Sequence, residues 1–156
     1  MSNNAASIAP RLSISNRKAG FSYELLQTFE AGMVLLGSEI KSIRQAKVNM
    51  GDAYCLFIDG DLWVRHLHIS AYKEASWLNH EPMRDKKLLL KRHELRKLQH
   101  RMKEKGYTVV PTRLFISERG LAKLEIALAR GKKQHDKRDS IKDRDVERDM
   151  RRDSDR

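Results

Sequence analysis

The last 26 residues, from Gly131 to Arg156, set the first limit on what this chain can fold into. Beyond Gly131 the only aliphatic or Met side chains are Ile141, Val146 and Met150. So little apolar surface cannot offset the entropy lost on ordering the segment. Residues 131–156 are therefore expected to lie outside any core, leaving about 130 residues for a single domain. The three apolar residues recur at close to one helical turn, so a partner surface could induce a helix with a thin apolar stripe. A tail that is disordered when free and orders on RNA fits this composition, and so does a solvated tail that aids solubility.

The charge of the chain points to a polyanionic partner: the formal net charge is +11 and the pI about 9.9. This charge is unevenly spread. The segment from Arg84 to Lys105 holds ten Lys and Arg against three acids, which accounts for seven of the eleven net charges. The tail from Gly131 onward mixes ten cations with eight acids. A basic surface on the folded part and a charge-mixed tail are thus separate features. Cys55 is the only cysteine, which excludes an intramolecular disulfide and suggests a reducing, cytoplasmic setting. No apolar run approaches a membrane span, and the N-terminus lacks the basic start and apolar stretch of a secretory signal. Residues 1–15 read as a short flexible arm and residues 16–130 as the domain.

Within that domain the pattern alternates between strand and helix. Phe21 to Glu30 reads as a strand with Phe21, Tyr23, Leu25 and Phe29 on one face, ended by Ala31-Gly32. Met33 to Gly37 reads as a short buried strand, followed by a helix capped by Ser38 and running through Arg44, with Ile40 and Ile43 inward. Ala53–Ile58 and Asp61–Ile69 form a hairpin about Asp59-Gly60. Tyr72 to Asp85 is a loop. A long helix is expected from near Lys87 to Lys105, with Leu88, Leu95, Leu98 and Met102 on one stripe and Gly106 as its stop. Thr108–Ser117 and Leu121–Arg130 read as two strands joined at Arg119-Gly120. The fold class is mainly β with helices (α+β). An oligonucleotide-binding (OB) type of small, partly open β-barrel plugged by a helix has this plan, as do other α+β arrangements.

Chemistry-bearing constellations are few. His66 and His68 fall on one face of the expected strand, but no third ligand accompanies them, so two polar strand residues are the simpler reading and no metal is expected. Asp59-Gly60-Asp61 is explained by the hairpin turn rather than by a pair of nuclease acids. Cys55 sits among apolar strand residues and reads as a buried, unreactive thiol. Neither a nucleotide-binding glycine loop nor a nucleophile elbow occurs, so the chain does not read as an enzyme and implies no cofactor. Glu30, at the expected strand end, is either an exposed acid or a carboxylate accepting hydrogen bonds from base edges or ribose hydroxyls. Asn16, before Arg17 and Lys18, is either a turn residue or an amide that reads RNA. Three successive leucines, Leu88-Leu89-Leu90, cannot all face inward, so one is expected to remain exposed.

Taken in order, several segments resemble the SmpB family, the bacterial SsrA-binding proteins. They are Asn16-Arg-Lys-Ala19, Phe29-Glu-Ala-Gly32, Gly37-Ser-Glu-Ile-Lys-Ser-Ile-Arg44, Asn49 with Asp52, and His68-Ile69 with Tyr72. To these are added Asn79-x-x-Pro82-x-Arg84-x-Lys86-Lys-Leu-Leu-Leu90, Lys105-Gly-Tyr-Thr-Val-Val-Pro111 and Gly131-Lys-Lys-Gln-His-Asp-Lys-Arg138. The resemblance spans roughly Asn16 to Asp145. It implies an OB-type barrel that binds the tRNA-like domain of transfer-messenger RNA and accompanies it into stalled ribosomes, where the protein stands in for the missing codon–anticodon stem. Carried over, it implies an RNA contact at Asn16, Glu30 and Leu89, with the basic side chains Arg17, Lys18 and Lys87. It also implies a tail that enters the decoding centre through Gly131, Lys132, Lys133, His135, Asp136, Lys137 and Arg138 and continues as a helix in the empty message channel. The end of the tail, rich in Asp from Asp145 onward, departs from the family's net basic helix. The expected partners are transfer-messenger RNA and the ribosome, for a monomeric protein without membrane attachment. A structural ribosomal protein would share the basicity, the small barrel and the tail, and is the alternative reading.

Overall fold

Nine strands and three helices account for most of residues 12–75 and 78–132, which the computed structural model describes. In chain order they are β1 (Leu12–Ser15), α1 (Arg17–Ser22), β2 (Tyr23–Met33), α2 (Gly37–Arg44), β3 (Val48–Asn49), β4 (Tyr54–Ile58) and β5 (Asp61–Arg65). Then come β6 (His68–Ile69), β7 (Lys86–Leu89), α3 (Arg92–Met102), β8 (Tyr107–Ile116) and β9 (Ala122–Gly131). The architecture is mainly β with a few helices.

Antiparallel pairing runs β8–β4–β5–β7–β2–β9 and returns from β9 to β8, so six strands form a closed ring, with β1 added on β8. Closure follows from alternation in the sequence. Leu124, Ile126 and Leu128 of β9, Leu62 and Val64 of β5, Leu88 of β7 and Phe29 and Ala31 of β2 all point inward and are buried. The β4–β5 turn falls at Asp59-Gly60, as expected, with φ of 50° and 82°, the left-handed pair that a tight hairpin requires. Pro111, in the middle of β8, sits beside a register shift, the kind of place where a strand tolerates a residue without an N–H.

The sequence expectations are corrected at several points. The strand expected to end at Ala31-Gly32 continues to Met33, because Ala31 faces the core and Gly32 lies opposite Leu89 across the β2–β7 pair. Phe21 belongs to α1, and a bulge beside Leu26 leaves Leu25 facing outward, so the four aromatic and aliphatic residues do not share a face. Val34 and Leu36 are exposed rather than in a buried strand. Ser38 is not the cap of α2: its hydroxyl meets His80 Nδ1 at 2.8 Å, and the N-cap is Leu36. The long helix is shorter than expected. Lys86–Leu89 pair with β2 and β5 as β7, and α3 covers only Arg92–Met102, with Leu98 fully buried. The second hairpin strand stops at Arg65, since His66 adopts φ of 61° and His68 begins β6, so the two histidines do not share a strand. Leu12–Ser15, placed in the expected arm, pair with β8 as β1.

A buried ionic cluster joins the helical and strand layers. The Glu39 carboxylate, fully buried in the first turn of α2, accepts from Leu36 N–H at 2.8 Å and from Arg84 Nη2 at 2.6 Å. Lys86, equally buried at the start of β7, lies 3.9 Å from Glu39 and donates to the carbonyls of Leu67 at 2.7 Å and Pro82 at 3.4 Å. Burial lowers the Lys86 ammonium from 10.5 to about 8; Glu39 opposes the shift and Arg84 adds to it. Between these two values the unfolded chain retains a proton that the folded chain has released. This group therefore makes stability rise with pH across that interval. The expected outcome is that the stability difference between wild type and Lys86→Met grows in favour of wild type from about pH 8 to 10.5, as read by denaturant unfolding. A difference flat with pH would contradict it.

Candidate nucleic-acid interface

The outer face of the sheet carries a row of charged side chains set by register. Ser15 lies opposite Arg113, Arg113 opposite Glu125, and Glu125 opposite Glu30. Glu125 is held by Thr112 Oγ1 at 2.8 Å and Arg113 Nη2 at 3.4 Å, and the Arg113 guanidinium also lies 4.4 Å from the Phe115 ring centre. The Glu30 side chain is exposed beside this second carboxylate, and its carboxylate makes no hydrogen bond or ion pair among the described residues. Like charges placed opposite one another repel, and nothing internal relieves Glu30. It is an acceptor free for an incoming donor.

Glu30 borders an open groove with Gly32, Leu89, Lys91, Glu94 and Lys123, of about 540 Å³. A second, more apolar depression adjoins it, sharing Gly32, Leu89 and Lys123 and adding Leu121 and Ile40. Leu89 stands between the two, 52% exposed, while Leu88 points into the core. Strand alternation explains this: Lys86 and Leu88 face inward, Lys87 and Leu89 outward. Gly32 leaves room for Leu89, since a Cβ there would lie 3.4 Å from the Leu89 Cβ. Lys87 pairs loosely with Asp61 at 3.6 Å. Lys123, which the sequence reading did not single out, lies opposite Gly32 in the β2–β9 register. Its signal was the alternation of Lys123 and Glu125 with the buried Leu124 and Ile126.

Asn16, Arg17 and Lys18 lie elsewhere. Asn16 adjoins β1, three strand spacings from Glu30 across the sheet, roughly 14 Å. Its Nδ2 donates to Pro111 O at 2.8 Å and Met50 O at 3.2 Å, and its backbone N–H donates to Thr112 O at 2.8 Å. The amide thus ties the bulge of β8 to the turn before β4, and only its Oδ1 stays without a partner among the described residues. Asn16 and Lys18 line a cavity of about 250 Å³ with Tyr23, Tyr54 and Asp52. At its rim Lys18 donates to Asp52 at 2.8 Å, which holds the lysine above and the aspartate below their ordinary ranges. Beside it, exposed His66 stacks on Tyr54 at 5.5 Å. Cys55 is buried, and desolvation pushes its thiol well up, away from reactivity.

Gly131 closes β9 opposite Tyr23, and Lys132 N–H donates to Ser22 O at 3.3 Å. Lys133, His135, Asp136, Lys137 and Arg138 lie outside the described residues. No helix among the described residues is long and apolar enough to cross a membrane.

These features define a small, basic α+β domain with a groove of mixed charge, an adjoining apolar depression and a free carboxylate on its outer face. The SmpB protein family model matches residues 13–156. The SsrA-binding protein of Bacteroides thetaiotaomicron is 54% identical over 143 residues, covering 92% of this chain and 95% of its own length. That of Cytophaga hutchinsonii is 52% identical, covering 93% and 95% respectively. A solved structure described as "tmRNA-SmpB: a journey to the center of the bacterial ribosome" aligns with a TM-score of 0.68 at 41% identity, over 85% of this chain and 95% of that one. The chain belongs to the SmpB family.

If Asn16 acts mainly as a brace, Asn16→Ala should remove its hydrogen bonds to the Pro111 and Met50 carbonyls, the latter keeping only Ala53 N–H. It should cost about 1–3 kcal/mol in unfolding free energy, measured by denaturant titration. An unchanged stability would assign Asn16 to binding alone.

Proposed function

We propose that this chain is a non-enzymatic, cytoplasmic RNA-binding adaptor of ribosome rescue. It binds the tRNA-like domain of transfer-messenger RNA and brings it to ribosomes stalled on messages without a stop codon, so that the incomplete peptide is tagged. Family membership over nearly the whole chain carries the reading, since the relatives are SsrA-binding proteins and the solved relative is described with transfer-messenger RNA and the ribosome. The closed strand ring, with α3 contributing Leu98 to its core, fits an OB-type barrel, a fold that presents one sheet face to nucleic acid.

In this reading Leu89 offers an apolar contact to unstacked bases or ribose, and Glu30 accepts from base or ribose donors. Lys87, Lys91 and Lys123 supply phosphate contacts around them. Asn16, Arg17 and Lys18 form a second point of contact with RNA, with Asn16 reaching it through Oδ1. Residues 16–130, together with β1 (Leu12–Ser15) added on β8, form the RNA-binding domain. The tail from Gly131, with Lys132, Lys133, His135, Asp136, Lys137 and Arg138, occupies the decoding centre and extends as a helix into the empty message channel.

The test is to capture the chain from cells and sequence the RNA that remains bound. A single small RNA with a tRNA-like end, present below ribosome stoichiometry, is expected; stoichiometric recovery of ribosomal RNA alone would favour a structural ribosomal protein. Glu30→Ala should weaken binding to the tRNA-like RNA by about 1–3 kcal/mol with an unchanged melting temperature. A lowered melting temperature with intact binding would reverse its role.

A further inference from the structure

Three carboxylates meet at or beside the groove, and their oxygens are engaged to different degrees. Glu125, opposite Glu30, has both occupied: Thr112 Oγ1 donates to one at 2.8 Å and Arg113 Nη2 to the other at 3.4 Å. Glu94 has one occupied, by Lys91 N–H at 3.1 Å. Glu30 alone of the three keeps both oxygens free among the described residues. A carboxylate in this state accepts two parallel hydrogen bonds, so it fits a group that presents two donors side by side.

The strands place the rest of the site around Glu30. Gly32 follows it on the same face of β2, with Leu89 opposite on β7 and Lys123 opposite on β9. Leu89 and Lys123 therefore stand about 10 Å apart, with only the backbone of Gly32 as floor between them. Glu30 lies roughly 7 Å along β2 from that floor. A glycine inside a strand marks a place where a ligand can approach the backbone closely. A flat ligand lying over Gly32 would rest against the exposed Leu89 side chain and turn one edge to Glu30.

We propose that this groove reads a single unpaired guanine of the bound RNA, whose N1–H and N2 amino group donate to the two oxygens of Glu30. The inference rests on the reading of this chain as RNA-binding and names the base that the groove takes. Among the RNA bases only guanine carries two adjacent donors on its Watson–Crick edge, and that edge is open to a side chain where the base is unpaired. Adenine and cytosine set a ring-nitrogen acceptor beside the amino donor, and uracil flanks its N–H with carbonyls, so each repels one carboxylate oxygen. A ribose within a chain offers one free hydroxyl and leaves the second oxygen unused. Phosphate is repelled by Glu30 and Glu125 together, and a protein cation by Lys91 and Lys123 at the rim. Those two lysines fit instead the phosphates on either side of the guanine.

The experiment uses the full chain and a set of tRNA-like RNAs in which each unpaired guanine is replaced in turn by inosine, which lacks the N2 amino group. At one position the replacement should weaken binding to wild type about tenfold, the loss of one hydrogen bond to a charged acceptor. With Glu30→Ala the same replacement should cost nothing, because the amino group has no partner left to lose. Glu30→Gln offers one acceptor and one donor, so it should prefer adenine to guanine at that position, the reverse of wild type. An inosine penalty absent at every position in wild type, or undiminished in Glu30→Ala, would overturn the proposal. If a single 2′-deoxy substitution is instead the one whose cost vanishes in Glu30→Ala, Glu30 reads a ribose: the guanine assignment falls and the groove reading stands. Unchanged affinity of Glu30→Ala for the unmodified RNA would overturn the groove reading, and this assignment with it.

Discussion

The fully buried carboxylate of Glu39 is the contact on which the rest of this structure depends. It fixes the entry of α2 through Leu36 N–H and anchors Arg84, which also reaches the carbonyls of Val34 and Asp85. Through Lys86 it holds β7, and β7 is the strand that joins β5 to β2 and so completes the ring. A buried ion pair contributes little over an apolar replacement, but removing one partner strands the other at a cost of about 3–5 kcal/mol. The cluster thus specifies more than it stabilises. Lys86 cannot shift by one residue without burying Lys87 and exposing Leu88, which would turn Leu89 away from the groove.

That constraint explains how a strand of four residues presents a binding surface. Its inward members are tied to α2 and to the loop before β7, so its outward members, Lys87 and Leu89, hold a defined place against Gly32 of β2. The neighbouring pairs Glu30–Glu125 and Gly32–Lys123 set the acidic and basic edges of the groove by register alone. Rigid elements with fixed register position side chains more accurately than loops do. Asn16 belongs to the same logic in a different role, since its amide spends both hydrogens on the backbone and fastens the bulge at Pro111.

Much of this was legible in the sequence, and the misses have physical causes. Alternation revealed β4, β5, β8 and β9, and Asp59-Gly60 announced its turn, because a two-sided strand and a left-handed turn leave strong local signals. Lys86 to Leu90 misled because a run of leucines among lysines has helical propensity, while the burial of Lys86 beside Glu39 is a tertiary fact invisible to periodicity. Ala31-Gly32 resembled a strand end because small residues mark turns, yet here they let the core and Leu89 approach the backbone. His66 broke its strand without a glycine to signal it. The exposure of Glu30 and of one of the three leucines was readable, whereas their meeting at one groove with Lys123 required the β2–β7 and β2–β9 pairings.

The division of labour between domain and tail is the central claim, and one comparison tests it most directly. Truncation after Lys132 keeps β9 and its bond to Ser22. The truncated chain should bind the tRNA-like RNA as tightly as the full chain. It should nonetheless fail to support peptide tagging on ribosomes stalled at the end of a truncated message. Tagging at the full-length rate would contradict the proposed role of the tail and reduce it to a solvated appendage.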